Sequence, residues 1–479
     1  AQTVSVEPLR PPDLIIQDEL HLISGPLGTL VGLYETAVDR LGAWELNGHT
    51  VRPKVIASSA TIRRAREQVA SLYVREMRIF PPAGLDAGDN FFARGREPSA
   101  ATSGRRYLGL CAPGIRFRTV LIRVYVALLS AAQTLYEKYG ARADPWMTLA
   151  GYFSSIRELG GMRRVVDDAV RARLLRMDER GLAKRSLSTY SVEELTSRKG
   201  ATDIPQILDR LETEFDPAAA DARRQRRQAG QAVDFNRYPL DVLLATNMIS
   251  VGVDVPRLGL MVVASQPKNT SEYIQASSRI GRRWPGLVVT VYNWARPRDL
   301  SHYERFEHYH ATFYQHVEAL SVTPFASRAL DRGLSALLVA YVRLLGQEFN
   351  ANDRAETITR DHPLVQTALA EISRRASLVT GSAEVEAAVR AALRDRLDVW
   401  LARAARLSSG ARLGYQTRSD GQTLGLLVSA QQAAADELAC LTSLRDVEPS
   451  INLLLNDYGM DREPGAPAQE AAAPAGEGQ

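Results

Sequence analysis

The sequence predicts an α/β protein, with parallel sheets flanked by helices over residues 1–300 and a mainly helical region after them. Two patterns carry that expectation. Short apolar runs at residues 14–16, 55–57, 147–153, 242–245, 261–264 and 288–292 have strand length, and each ends in polar residues. Between them lie longer stretches with apolar side chains three and four apart, the spacing of a helix with one buried face. Strands alternating with helices build a parallel sheet, and functional residues gather at the strands' carboxyl ends. From about residue 302 to 407 only the helical spacing remains, clearest over 334–345 and 385–401.

In chain order, residues 1–100 hold the strand 14–16, an amphipathic helix over about 27–41 and the strand 55–57. They read as the C-terminal part of one sheet domain. Residues 81–103, rich in Gly, Pro and Asp, read as a linker. A complete second sheet domain is expected over 101–300, with a long helix near 117–139, a strand near 147–153 and further helices near 160–178, 204–215 and 271–280. Residues 216–231 read as a polar insertion in which Arg223, Arg224, Arg226 and Arg227 form a solvated helix face. A mainly helical domain is expected over 301–462. The last stretch, 463–479, is nearly all Ala, Pro, Gly and Glu and is expected to be disordered.

Composition excludes some classes of protein. Apolar residues make up 45% and charged residues 24% of 479, ordinary for a globular chain. No uninterrupted apolar run reaches the ~18 residues of a membrane span, and residues 124–132 and 334–342 are bounded by Arg123 and Arg343. The N-terminus carries no secretory signal pattern, so a cytoplasmic protein is expected. Cys111 and Cys440 alone cannot form a disulfide framework or an all-cysteine zinc cluster. The charge of +4 is only mildly basic, and five lysines against 54 arginines read as a codon bias rather than a phosphate-binding surface. His302, His308, His310 and His316 cluster, but 308 and 310 point to different helix faces, so no metal site is expected.

The chemistry sits at strand ends. Asp18-Glu19-Leu20-His21 follows the first apolar run directly. In a nucleotide hydrolase, a first carboxylate there holds Mg²⁺, directly or through water, and the next orients and deprotonates the attacking water. Taken alone, an Asp-Glu pair is also a common helix start. Ser59-Ala60-Thr61 ends the second run, where the hydroxyls either link the carboxylate strand end to a neighbouring domain or cap a helix.

Farther on come Thr246-Asn247-Met248-Ile249-Ser250-Val251-Gly252-Val253-Asp254 and Gln275-Ala276-Ser277-Ser278-Arg279-Ile280-Gly281-Arg282. A transferring γ-phosphoryl group spreads charge over its equatorial oxygens, and guanidinium groups from a second domain stabilise it. Arg279 and Arg282 are three apart, so on a helix they share a face. Ser154, and later Thr196-Ser197-Arg198, are placed to hydrogen-bond a nucleic-acid backbone or, equally, to cap and turn.

The ordered set resembles the superfamily 2 helicases: motif II in its DEAH-like form at Asp18, motif III at Ser59, motif IV near Ser154, motif V at Thr246 and motif VI at Gln275. The stretches 14–28, 148–160, 194–211, 262–282, 296–304 and 442–448 together look like the helicases of the DISARM anti-phage system. The resemblance implies the remainder of one RecA-like domain followed by a complete second one, with ATP and Mg²⁺ as cofactors and DNA as partner. It makes His21, Gly252, Asp254 and Gln275 nucleotide-binding and coupling residues, and Thr246 a holder of a nucleic-acid phosphate.

It also implies a role in bacterial defence beside a partner chain with a cysteine-rich zinc module (DrmB-like); with no apolar run of membrane-span length, no membrane partner is expected. Related DNA-repair helicases carry a fused four-cysteine domain and act alone; a catalytically inactive DNA-binding scaffold is the third reading. Superfamily 2 enzymes need a Gly-x-x-x-x-Gly-Lys-[Ser/Thr] loop ahead of motif II. None of the five lysines follows a glycine, and 17 residues precede Asp18. The chain is therefore expected to be a piece of a longer protein and to hydrolyse no ATP by itself.

Overall fold

The first apolar run forms strand β1 (Leu14–Gln17), and helix α1 (Gly25–Leu41) follows, with Pro26 in its first turn and its apolar stripe buried. A hairpin comes next, β2 (Trp44–Leu46) and β3 (His49–Val51), and then β4 (Lys54–Ala57) and α2 (Ala65–Tyr73). The sequence reading did not include the hairpin. Its signal is Asn47-Gly48, both at positive φ, 51° and 77°, as a two-residue turn between twisted strands requires.

These coordinates come from a computed structural model that describes residues 10–441, apart from 60–62, 83, 87–88, 90, 93, 100–103, 197, 201, 232–237, 251–253, 320, 408–409, 420–421 and 430–436. Thr61, Ser197, Gly252, the stretch 442–448 and the tail 463–479 lie outside the described residues. β1 and β4 pair in parallel, Leu14 with Lys54 through Gln17 with Ala57. One face of this two-stranded sheet is open, the paired Ile16 and Ile56 being 71% and 51% exposed, while Val55 on the other packs against Leu20 and Leu72.

The second unit is complete. β5 (Arg105–Cys111), α3 (Phe117–Tyr139), β6 (Leu149–Phe153), α4 (Ile156–Val165), α5 (Arg171–Leu174) and β7 (Val192–Leu195) form its first half. α6 (Asp203–Glu212), α7 (Pro217–Gln228), β8 (Val242–Ala245), β9 (Leu260–Ala264), α8 (Thr270–Ser278) and β10 (Gly286–Tyr292) form the second. All six strands are parallel, in the order β5-β10-β9-β6-β8-β7. β6, β8 and β9 are buried at every residue. They can be apolar throughout because one cluster built on α3 and α4 covers one face and another built on α6 and α8 covers the other.

One expected boundary needs correction. The helix placed near 160–178 starts at Ile156, because Ser155 caps it by accepting from the Glu158 amide at 3.3 Å. It then passes through a π turn at 166–170 before α5. The insertion 216–231 is largely a helix, α7, with Arg226 exposed on it. By length and composition α3 and the turn after it could cross a bilayer. Here Leu121, Tyr125 and Leu129 on α3 are core residues of the sheet unit.

Beyond the sheet come α9 (Pro297–Glu304), α10 (Phe306–Thr312), α11 (Ser327–Leu345), α12 (Pro363–Thr380) and α13 (Ala383–Ala405). Two small parallel pairs follow, β11 (Arg412–Gly414) with β12 (Thr423–Gly425) and β13 (Leu427–Ser429) with β14 (Leu438–Cys440). The core of this region, with Leu337, Ile372 and Trp400 at its centre, also takes in Leu33 and Ala37 of α1. The helical region is thus packed onto the first sheet unit rather than standing apart. His310, one of the clustered histidines, accepts from the Tyr273 hydroxyl at 2.8 Å and donates to the Phe306 carbonyl at 2.8 Å.

The α1 junction carries one misplaced proton. Burial pushes the Glu35 carboxyl from 4.5 up to about 7, with Arg375 and Arg75 opposing and Asp39 adding to the rise. A carboxyl raised in the folded state favours folding below its unfolded value, and that contribution is lost as pH climbs through about 7. Glu35→Gln is expected to raise the unfolding free energy by about 1–3 kcal/mol at pH 8 and by less at pH 5. Urea titrations at the two pH values check it; an equal gain at both would mean the carboxyl is not the cause.

Candidate nucleotide-hydrolysis site

The carboxylate turn is held by the parallel pairing of β1 and β4. That register sets Ser58 beside Asp18: the Ser58 amide donates to the Gln17 carbonyl and the Leu20 amide to the Ser58 carbonyl, each at 2.9 Å. The Ser58 hydroxyl then donates to Asp18 Oδ1, which also accepts from the Glu19 amide at 2.9 Å. The Ser58 hydrogen bond, with the Glu19 amide behind it, holds the Asp18 carboxyl below the usual carboxylate range. Asp18 is exposed and ionised, with hydrogen bonds described for Oδ1 only. An exposed carboxylate is the hard oxygen donor that Mg²⁺ prefers, so Asp18 fits such an ion.

Glu19 has φ 53°, a left-handed conformation that side-chain-bearing residues seldom adopt. Its carboxylate reaches His21 Nδ1 at 3.3 Å, and Ser59 Oγ lies 3.2 Å from the same nitrogen. On the other side of the ring, the Gln275 amide nitrogen meets His21 Nε2. An amide nitrogen only donates, so in this arrangement Nε2 accepts and Nδ1 carries the ring proton toward Glu19 and Ser59. His21, its side chain only 7% exposed, therefore bridges the turn of the first unit to helix α8 of the second.

Gln68 of α2 fixes the turn from behind, its buried amide donating to the carbonyls of Leu20 at 3.2 Å and Ile23 at 2.6 Å.

The arginines are placed differently from expectation. Helix α8 ends at Ser278, and Gly281 at φ 73° turns the chain, so Arg279 and Arg282 do not share a helix face. They lie in the turn that follows. Arg282 donates through its guanidinium to Asp254 and through Nε to the Ser278 carbonyl at 3.4 Å. Burial lowers the Arg279 pKa, and Arg282 adds to this; Glu19 and Asp254 act in the opposite sense. Glu19, Arg279, Arg282 and Asp254 thus share one electrostatic neighbourhood.

Arg105 of β5 closes the carboxyl end of α8, Nε donating to the Ile280 carbonyl at 2.6 Å and Nη2 to the Ser278 carbonyl at 3.1 Å.

The nucleic-acid candidates stand apart from this group, at the carboxyl ends of three neighbouring strands, β6, β8 and β7. Arg198 is exposed, but Thr246 is 6% and Thr196 1% exposed. The Thr246 hydroxyl lies 3.4 Å from the Asn247 side-chain oxygen, and Thr196 accepts from the Arg198 amide at 3.4 Å. The two threonines shape their turns in this arrangement instead of presenting hydroxyls to solvent. The Ser154 hydroxyl oxygen is enclosed, with no hydrogen-bond partner among the described residues.

Three residues escaped the sequence reading: Ser58, Gln68 and Arg105. Ser58 had a signal, since parallel pairing of the two apolar runs sets it opposite Asp18. Gln68 had a weaker one, as the polar residue beside Val69 and Leu72 in a short amphipathic helix. Arg105 had none, because only folding brings it to α8.

A carboxylate pair at the end of one sheet, linked through His21 and Gln275 to an arginine turn at the end of a second, is an arrangement similar to that of the superfamily 2 helicases. Residues 192–283 match the helicase conserved C-terminal domain family. The chain is similar to the DISARM protein DrmA of Bacillus paralicheniformis, 45% identical over 361 residues, which are 75% of this chain and 30% of that protein. It thus spans about a third of that relative's length.

Among solved structures, the DUF1998 helicase MrfA bound to DNA aligns with 68% of this chain and 37% of its own, at 17% identity and a TM-score of 0.42. The Mycobacterium smegmatis helicase Lhr bound to ssDNA and AMP-PNP aligns with 81% and 38%, at 15% identity and 0.44.

Proposed function

We propose that this chain is the C-terminal part of an ATP-hydrolysing DNA translocase that works in cytoplasmic anti-phage defence of the DISARM type. One observation carries the reading: His21 joins Gln275, which brings the Asp18-Glu19 turn of one sheet unit to the Arg279–Arg282 turn of the other. In this reading Glu19 activates the attacking water, and Arg279 and Arg282 meet the γ-phosphoryl charge. Ser59 tunes the proton on His21, and Asp254 holds Arg282 for closure. Asp18 would hold Mg²⁺, which supplies charge neutralisation at the phosphates.

The similarity to DrmA supports the defence role, and on the same resemblance a partner chain would bring the cysteine-rich zinc module that Cys111 and Cys440 cannot form. A scaffold without hydrolysis has no need for Glu19 beside an oriented His21 and two arginines.

The reading is tested on the whole protein by phosphate release with and without DNA. Stimulated turnover is expected, and its absence defeats the proposal. Binding should rest on phosphates, made by Arg198 and by residues near Thr246 and Ser154 after the strand ends rearrange. Affinity for single-stranded DNA is therefore expected to fall steeply between 50 and 200 mM salt, by roughly 10²–10³ if six phosphates are contacted, and to ignore base sequence. Titrations with scrambled strands check it; a flat salt response contradicts it.

A further inference from the structure

Helix α8 carries Gln275 and leads into the arginine turn, so its position sets theirs. Arg105 pins its carboxyl end from within the same sheet. The amino end is not capped by its own flank, since Asn269 makes no side-chain bond to the first turn. The cap comes from Glu318. Its two carboxylate oxygens accept from the Thr270 amide at 3.0 and 2.8 Å, and one of them accepts from the Thr270 hydroxyl at 3.1 Å.

That hydroxyl is fed in turn. Gln266 Nε2 donates to the Tyr309 hydroxyl at 3.0 Å, and Tyr309 donates to Thr270 Oγ1 at 3.2 Å. Each donor in the chain points toward the Glu318 carboxylate, and a negative charge at a helix amino end is favoured by the helix dipole. Thr270 is 2% exposed, so water competes little for these bonds.

Glu318 stands on a strap that leaves the second unit and lands on the first. Four residues later Val322 joins Leu20, Leu72 and Tyr73 in one apolar cluster. The Thr323 amide donates to Thr29 Oγ1 of α1 at 3.1 Å, and Phe325 enters the core that includes Leu33. A side chain on Gly32 would meet the Pro324 ring at 2.6 Å, so glycine lets the strap lie flat on α1. Leu20 is the residue immediately after Asp18-Glu19. Helix α8 is therefore tied to the same short turn at two places, at Gln275 through His21 and at its amino end through Glu318 and the strap.

We propose that Glu318 is a positioning residue for hydrolysis: its cap on α8, backed by the strap, keeps Gln275 and Arg279 in register with the Asp18-Glu19 turn. The proposal rests on reading the site as ATP-hydrolysing. In the whole protein, Glu318→Ala is expected to lower kcat about tenfold while the KM for ATP stays within about twofold. Glu318→Gln, whose amide oxygen still accepts a bond from Thr270, recovers most of that loss. Adding Gln275→Ala to Glu318→Ala brings no drop beyond the larger single effect, because both act through one helix. A KM that rises in step with the fall in kcat, or losses that multiply, overturns the proposal in favour of a role in folding or nucleotide binding.

A second arm needs no turnover. Glu318→Ala is expected to speed hydrogen exchange in peptides covering 270–278 and 19–24, while 286–292 stays protected. If the unaltered protein shows no ATP turnover, the reading of the site fails, and exchange still decides the tie. Unchanged exchange in both peptides overturns it.

Discussion

Glu19→Gln in the whole protein is expected to bind ATP and DNA about as well as the unaltered enzyme while hydrolysis falls by ~10²–10⁴, the usual worth of a general base. The substitution keeps the side chain's shape and its reach to His21 Nδ1, 3.3 Å away, but removes the group that takes the proton. His21 cannot substitute, because its Nε2 is occupied by the Gln275 amide and its Nδ1 already carries a proton. Asp18→Asn should behave differently and weaken Mg·ATP binding as well, because it removes charge from the metal site. Single-turnover hydrolysis and nucleotide affinity, measured side by side, separate the two. The roles are reversed if Glu19→Gln loses affinity and Asp18→Asn merely slows the chemistry.

Arg282→Ala is expected to cut turnover by a factor on the order of 10³, with modest loss of DNA affinity, and Arg279→Ala to act in the same way. Destabilisation cannot account for a loss of that size. The Arg282–Asp254 pair is partly exposed, with side chains 34% and 70% accessible, and such pairs contribute about 0–1 kcal/mol to folding. A 10³-fold rate loss corresponds to about 4 kcal/mol. If either variant turns over at near-normal rate with an unchanged unfolding midpoint, that arginine does not meet the phosphoryl group.

The elements that position this site were legible where burial is symmetric. β8 and β9 are apolar on both faces because helices cover both, so their sequences announce them. β5 and β7 are edge strands of the same sheet and carry Arg105, Arg106, Glu193 and Glu194, so hydropathy alone passed over them. Asp18 and Glu19 stood out as carboxylates at a strand end, and His21 and Gln275 through the family resemblance; the fold brings Glu19, His21 and Gln275 together. The spacing of Arg279 and Arg282 misled, since i and i+3 share a face only while the helix lasts, and Gly281 ends it. Ser58, Gln68 and Arg105 act through contacts 40, 48 and 173 residues away, which no local pattern encodes.

The His21–Gln275 contact also sets a ceiling on cooperativity. It is one neutral hydrogen bond, worth about 0.5–1.5 kcal/mol net. If only this bond differed between an open and a closed arrangement, DNA would change ATP affinity by about two- to twelve-fold, and ATP would change DNA affinity by the same factor. A larger reciprocal ratio therefore requires other groups to move with it, and the Arg279–Arg282 turn at the foot of the same helix is the nearest set. On the proposed reading, the ratio of nucleotide affinities with and without DNA would measure how much of the boundary between the two sheets reorganises.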